Sequence, residues 1–590
     1  MEWEAWFTLA VVAISFLLLA YRGGAPDVIL LGALTILLVS GVLTPHEALA
    51  GLANEGMVTV GVLYVVVSGL RETGSIAWIA QNLLGRPKSV SEAQLRVMAP
   101  VAGLSAFLNN TPVVAIFIPA IRDWARRNRL SVSRLMIPLS YAAIAGGTCT
   151  LIGTSTNLVV NGLLMEQAGM DGLGMFELSW IGLPLVAAVL LFVVATSGWL
   201  LRERVPVIDQ FADVREYTVE MEVEPNSALS GKSIEDAGLR QLPGLYLVEI
   251  ERNGQPITAV SPHERLQDND RLVFAGIVDS VVDLQKIRGL KPATNQVFKL
   301  DSPDEERTLV EAVLSDSSPL IGKSVRDGRF RTRYDAAIIA VARNGRKIRD
   351  KIGDIVLHPG DTLLLVCHPH FVEQQRNSRD FFLISRLDDS RPLRHERATI
   401  AMAILVAMVL SVVPGWLTIL EAALLAAGGM LVTRCTSASL ARAAVDWQVL
   451  IVIAASFGIG IALQNTGAAA AVADGLVSLA NGVPWLALAL IFVATALFSA
   501  LATNNAAAVL MFPIALLTAQ RLETDLLPFA ITIMIAASAS FATPIGYQTN
   551  LMVFGPGGYR FSDYLRIGIP LTVLVGLLTT ALVPLIWPFR

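Results

Sequence analysis

Twelve apolar stretches, six on either side of a charge-rich block, limit what this chain can fold into. They fall near residues 5–21, 27–43, 57–70, 98–120, 135–164 and 180–201, and again near 398–413, 416–433, 447–464, 485–517, 526–553 and 565–587. Segments of this kind go into lipid, where a helix satisfies its own backbone. Composition agrees: 54% of the 590 residues are hydrophobic, 16% are charged, and the mean hydropathy is +0.59. The fold class expected is a polytopic α-helical membrane protein. A net charge of −4 gives nucleic acid no handle as a partner, and Cys149, Cys367 and Cys435 are too few and too scattered for a metal site or a disulfide framework. The first run lacks a basic leader and a small-residue cleavage site, so it reads as a retained span.

The two sets of six are copies. Leu70-x-x-Thr73-Gly74 recurs as Leu463-x-x-Thr466-Gly467, and Thr156-Asn157-Leu158 as Thr549-Asn550-Leu551, both 393 residues later. Ser105-Ala106-Phe107-Leu108-Asn109-Asn110-Thr111-Pro112 has its counterpart in Ser499-Ala500-Leu501-Ala502-Thr503-Asn504-Asn505-Ala506, and Pro119 and Pro513 follow at the same spacing. Agreement at one offset in separated places marks an internal repeat. The expected domains are a membrane repeat at 1–201, soluble modules at 202–292 and 293–396, and a second membrane repeat at 397–590.

Charge orients the copies. Arg71, Arg86, Lys88, Arg122, Arg126, Arg127, Arg129 and Arg134 crowd loops expected in the cytoplasm, while Glu2, Glu4, Glu47, Glu166, Asp171 and Glu177 fall outside. Basic loops flank both ends of 98–120. That stretch is therefore expected to be a re-entrant hairpin with Asn109-Asn110-Thr111 at its tip, the alternative being a simple span. Each half then has about five spans plus one hairpin, the second half inverted relative to the first. Both termini lie outside and the charged block inside. Arg521 falls on the wrong side of this scheme, and Glu421 lies inside an apolar run near the outer interface.

The charged block is itself duplicated. Gly231-Lys232-Ser233 pairs with Gly322-Lys323-Ser324, Asn253-Gly254 with Asn344-Gly345, and Asp270 with Asp361, all at an offset of 91. Alternating runs at 246–250 and 337–341 precede the Asn-Gly hairpin-turn signals, and further strands are expected at 272–275 and 363–366. Two small α+β modules result. The Gly-Lys-Ser triplets lack the leading glycine of a phosphate loop, because Asn226 and Ser317 stand there, so they are expected in turns entering short helices.

Asn/Thr clusters within apolar segments cost free energy unless they meet protein, water or a ligand. Such groups also glue helices together. Here each cluster is followed by a broken apolar segment, Gly146-Gly147-Thr148-Cys149-Thr150-Leu151-Ile152-Gly153-Thr154-Ser155-Thr156-Asn157 in one half and Ala542-Thr543-Pro544-Ile545-Gly546-Tyr547-Gln548-Thr549-Asn550 in the other. Freed carbonyls with Asn, Ser and Thr oxygens suit a hard monovalent cation, and helix N-termini suit an anion. Neither motif contains Asp, Glu or His, which favours sodium over proton coupling.

At these residues the sequence resembles the divalent-anion/sodium symporter family, whose hairpin tips carry Ser-Asn-Thr and whose breaks read Gly/Ala-Ser/Thr-Pro-Pro-Asn. Here the tips read Asn109-Asn110-Thr111 and Thr503-Asn504-Asn505, and the breaks lack the prolines. The resemblance implies one sodium held by Ser105, Asn109, Asn110 and Gly153, and a second held by Ser499, Ala502, Thr503, Asn504 and Gly546. It implies a substrate touching Asn110, Thr111, Thr154, Ser155, Asn504, Asn505, Tyr547 and Gln548. It further implies a homodimer in the cell membrane with an elevator-like transport unit, no enzymatic activity, and no cofactor beyond sodium as coupling ion. The charged block looks like two TrkA-C (RCK-C) regulatory modules, which place the chain near the sulfate-transporting branch; a small nucleotide ligand and a structural role for them stay open. The expected function is sodium-coupled import of sulfate, with a dicarboxylate substrate, an anion sensor with little transport, and export in place of import as alternatives.

Overall fold

The computed structural model describes residues 2–589 apart from 23–25, 76–83, 129, 205–217, 240–244, 253–254, 259–262, 277–286, 288, 293–307, 316, 344–345, 349, 351, 368–370, 372–374, 376–377, 379, 387–396, 502 and 545. Helices fill one unit, made of Met1–Arg204, Pro392–Val553 and Arg560–Arg590. Strands fill the other, Val205–Arg391 with Phe554–Tyr559.

In the helical unit the copies correspond end to end. Pro26–Val39 recurs 393 residues later as Ile419–Val432, and Asn110–Arg127 recurs 394 residues later as Asn504–Arg521. The stretch 98–120 is two helices, Val90–Ser105 and Asn110–Arg127, packed on each other about a break at 106–109. Its counterpart is Pro484–Leu501 with Asn504–Arg521. The run 135–164 splits into Ser133–Gly147 and Ser155–Gln167, and the run 526–553 into Leu527–Ser538 and Gln548–Phe554. By length and composition, three described helices can cross a bilayer unaided: Ser179–Leu200, Trp447–Asn465 and Phe561–Ile586. The pair Pro45–Ala53 and Glu55–Glu72, bent by 41°, makes a fourth. The remaining apolar helices are shorter.

Packing exchanges elements between the halves. Pro26–Val39 lies on Trp447–Asn465, and its counterpart Ile419–Val432 lies on Glu55–Glu72. Glycine permits both approaches: a Cβ on Gly69 would meet Met430 Sδ at 2.6 Å, and one on Gly458 would collide with Leu34. Neither half completes its own core. The two charges singled out in the sequence have local partners. Glu421 closes a capping box with Thr418 at the start of its helix, and Arg521 pairs with Asp474 at 2.9 Å.

The strand unit holds two five-stranded antiparallel sheets. The first comprises β1 (Thr218–Val223), β2 (Leu245–Arg252), β3 (Gln255–Thr258), β4 (Arg271–Gly276) and β5 (Leu290–Pro292), in the order β3-β2-β4-β1-β5. The second comprises β6 (Thr308–Leu314), β7 (Ala336–Arg343), β8 (Arg346–Lys347), β9 (Thr362–Cys367) and β10 (Phe381–Arg386), in the order β10-β6-β9-β7-β8. Read from its other edge, this is the same set of pairings. Even the bulges recur, between Leu247 and Glu249 and between Ile338 and Ala340. Buried aspartates brace each sheet: Asp270 takes Arg252 at 2.9 Å, and Asp361 takes Arg343 at 2.7 Å. The Gly-Lys-Ser triplets lie in turns. Gly231 and Gly322 have positive φ, and the Ser233 and Ser324 hydroxyls accept the backbone N–H of Asp236 and Asp327. A helix, Phe330–Tyr334, follows the second of these turns. The two Asn-Gly turns lie outside the described residues, while the strands flanking them pair as hairpins.

Candidate functional site

Each half carries a helix break held open by one asparagine. Asn157 donates its amide to the carbonyls of Gly147 (3.3 Å) and Thr150 (2.9 Å). Its counterpart Asn550 donates to Ser540 (2.8 Å) and Thr543 (3.0 Å), every partner shifted by 393. These carbonyls lie at and just beyond the ends of the preceding helices, so each side chain ties its break to the helix that leads into it. The second break is braced further. Ser140 donates to Asn550 Oδ1 at 2.7 Å, the Tyr141 hydroxyl donates to the Phe541 carbonyl, and the Tyr564 hydroxyl to that of Asn550, both also at 2.7 Å. Glycine lets the tips and breaks approach: a Cβ on Gly153 would sit 2.5 Å from the Gly147 carbonyl and 3.0 Å from that of Ala106. Thr150 also donates its hydroxyl to the Ala106 carbonyl, joining the first break to the first tip.

The tips reach across to the breaks of the opposite half. Asn110 Nδ2 donates to the Tyr547 hydroxyl at 2.7 Å, and Thr111 Oγ1 to Gln548 Oε1 at 3.1 Å. In return, Asn505 Oδ1 accepts from Ser155 at 3.0 Å and Thr156 at 3.2 Å. The Thr111–Gln548 and Asn505–Ser155 pairs are one contact seen from the two halves. Thr154 lies beside the same phenol, at the place in its half that Tyr547 has in the other. These bonds engage the amide oxygens of Gln548 and Asn505 and leave their N–H groups without a protein partner among the described residues. N–H groups beside the starts of helices Asn110–Arg127, Asn504–Arg521 and Ser155–Gln167 make an environment for negative charge.

Positive charge has a different place. Ser105 Oγ and Asn110 Oδ1 have no hydrogen-bond partner, although these residues are only 0% and 1% exposed. Buried polar atoms are nearly always satisfied, so two left open on one hairpin tip point to a ligand. Both are neutral oxygens, and among the described residues no cluster of His, Cys, Asp and Glu could hold a metal ion. Such a donor set fits a weakly charged hard cation better than a transition metal.

The structure therefore brings together Asn110 and Thr111 from the first half with Tyr547 and Gln548 from the second, and Ser155 and Thr156 with Asn505, while Gly153 packs on Gly147 and Ala106 and Ser105 ends the helix before the first tip. Asn109 and Thr503 cap their own helices, accepting from the backbone N–H of Thr111 and Ala506. Asn504 Oδ1 accepts the N–H of Asn505 at 2.9 Å. Ser499 Oγ donates to the Ala537 carbonyl at 2.6 Å and lies 3.0 Å from Ser540 Oγ. Gly546 lies against Thr543 and Ser540, and Ala502 lies outside the described residues. Sequence reasoning missed Asn157, Asn550, Thr156, Ser140 and Tyr141. The first two stood in the Thr-Asn-Leu repeat, where a doubled asparagine beside a break is itself a signal.

Comparison with known proteins gives the family. The profile of the CitMHS family, described as citrate transporter, matches residues 16–491 and 472–590. A Chlamydomonas reinhardtii protein whose name carries it as a candidate sulfur deprivation response regulator is 38% identical over 94% of this chain and 97% of its own length. An uncharacterized transporter of Synechocystis sp. is 33% identical over 99% of this chain and 98% of its own length. Sodium/sulfate cotransporter 2 of Chlamydomonas reinhardtii is 29% identical over 97% of this chain and 88% of its own length. These matches bear out the resemblance to divalent-anion/sodium symporters that the doubled tips carry.

Proposed function

This chain belongs to the citrate-transporter (CitMHS) family, and we propose that within it the protein is a sodium-coupled importer of a small divalent oxyanion, sulfate first and a dicarboxylate second. As a member it is a membrane transporter and not an enzyme. One observation carries the finer reading. Asn110 keeps one amide atom, its buried oxygen, without a partner, and gives the other to Tyr547 across the halves. A cation at that oxygen polarises the amide and strengthens the N–H bond to Tyr547, whose own proton is then a better donor to an anion. Cation and anion thus favour each other through one side chain. A relative named as a sodium/sulfate cotransporter supports the same pairing of ions.

The mechanism proposed is alternating access. Sodium orders the hairpin tips, the anion binds between them, and a transport unit carries both across the cell membrane against a fixed scaffold in a homodimer. The helix repeats are inverted with respect to the bilayer, with both termini outside. The two sheet modules are cytoplasmic TrkA-C-like regulators, with or without a small nucleotide ligand. A second reading, an anion sensor with little net transport, draws on the relative named for the sulfur deprivation response.

Labelled sulfate uptake into proteoliposomes, with and without an inward sodium gradient and with unlabelled sulfate, succinate and citrate as competitors, tests this reading. Sodium-dependent uptake blocked by sulfate alone is expected. Uptake of succinate without sulfate moves the protein to the dicarboxylate alternative. Silence with every anion overturns transport and favours the sensor.

A further inference from the structure

We propose that the two hairpin tips are unequal as cation sites: the first is open to a cation, and the second is closed by its own chain because Ser540 stands where the first half has Gly147. The proposal rests on the sodium-coupled reading above and predicts which half does the coupling. The correspondence is residue by residue. Ser105 matches Ser499 and Asn110 matches Asn504 at an offset of 394, while Gly147 matches Ser540 and Gly153 matches Gly546 at 393.

At the first tip, both side-chain oxygens are buried and unmet. Gly147 is what leaves the Asn110 oxygen so. A Cβ there would come within 2.8 Å of Asn110 Oδ1 and 3.0 Å of Asn110 Nδ2, so any side chain would push the amide away or cover it. At the second tip, the equivalent side chain is present. Ser540 Oγ lies 3.0 Å from Ser499 Oγ, and Ser499 spends its proton on the Ala537 carbonyl. Asn504 Oδ1 is occupied by the backbone N–H of Asn505. A cation arriving at the second tip meets oxygens that already have hydrogen-bond partners and keep a single lone pair each, so it gains less there than at the first, where both oxygens are unmet. Among the described residues of the second hairpin and break, a single oxygen, Ser538 Oγ, is buried and unmet. Its counterpart is Ala145, so it belongs to no pair shared by the two halves. The second break is also tied down by Ser140, Tyr141 and Tyr564, and needs no ion to order it.

The test titrates sodium against the purified full-length protein, following its thermal stabilisation in sodium chloride relative to choline chloride, and in parallel the sodium dependence of labelled sulfate uptake. Ser105→Ala removes one of the two open oxygens and should weaken apparent sodium affinity by ~10-fold or more. Ser499→Ala should shift it by less than about twofold, since its hydroxyl already faces protein. Gly147→Ser should imitate the second half and abolish the stabilisation; should that variant not fold, the two serine variants still decide. Equal losses in Ser105→Ala and Ser499→Ala, or an unchanged Ser105→Ala, overturn the inequality while leaving sodium coupling in place. A wild type indifferent to sodium in both measurements overturns the coupling reading and this proposal with it.

Discussion

Replacing Tyr547 by Phe isolates the proposed link between the two ions. The ring, 8% exposed, keeps its place, and one oxygen is lost. That oxygen accepts the Asn110 N–H at 2.7 Å, and Asn110 is 1% exposed, so water has little access to the orphaned donor. A buried donor left unmet costs about 1–3 kcal/mol. The anion also loses the hydrogen bond proposed from the phenol; at about 1–3 kcal/mol for that bond and 1.4 kcal/mol per tenfold, uptake at subsaturating sulfate should fall by roughly 5- to 150-fold. Because Asn110 presents its other amide atom to the cation, the sodium concentration for half-maximal uptake should rise together with that for sulfate. The assay is initial-rate uptake in proteoliposomes over a grid of both concentrations, with thermal denaturation of the purified variant as a check on folding. If Tyr547→Phe keeps both half-saturation values of the wild type, the relay through Asn110 does not operate. If sulfate affinity falls while sodium dependence stays fixed, the phenol serves the anion alone.

Asn550→Ala removes the donor of two break carbonyls and the acceptor of Ser140, where Asn157→Ala removes the donor of two carbonyls. With ~1–3 kcal/mol for each unmet group, both variants should denature at lower temperature, Asn550→Ala more so, which thermal melts in detergent would show; the reverse order contradicts the bracing described. Arg343→Met leaves the fully buried Asp361 without its counter-charge and should cost the second sheet module about 3–5 kcal/mol, read as earlier proteolysis of that unit, and a wild-type cleavage profile would contradict it. Deleting 206–392 and rejoining the halves should retain sulfate uptake with altered regulation; complete loss of uptake in a well-folded product would favour the sensor alternative.

Much of the architecture was legible because a repeat is arithmetic on letters. Offsets of 393 and 394 predicted equivalent helices, equivalent breaks and equivalent tips, and the offset of 91 predicted two modules with like strands. The Asn and Thr clusters announced themselves because polar groups in apolar runs demand partners. The cap that holds Glu421 and the ion pair of Arg521 with Asp474 are invisible in a charge count.

The sequence by itself determined the membrane class, the duplication, the positions of the breaks and the residue types that meet there. Only the tertiary structure decided who bonds to whom. Asn505 answers to Ser155 and Thr156 some 350 residues away, and Asn110 to Tyr547 at a separation of 437, pairings set by how the intervening helices cross. It also decided that equivalent residues are not equal. A glycine at 147 and a serine at 540 are plain in the letters, yet their effect depends on an amide oxygen brought within 2.8 Å of where a Cβ would stand. Hydrogen bonds are satisfied at separations of about 3 Å, and that precision comes from packing, which a one-dimensional repeat does not encode.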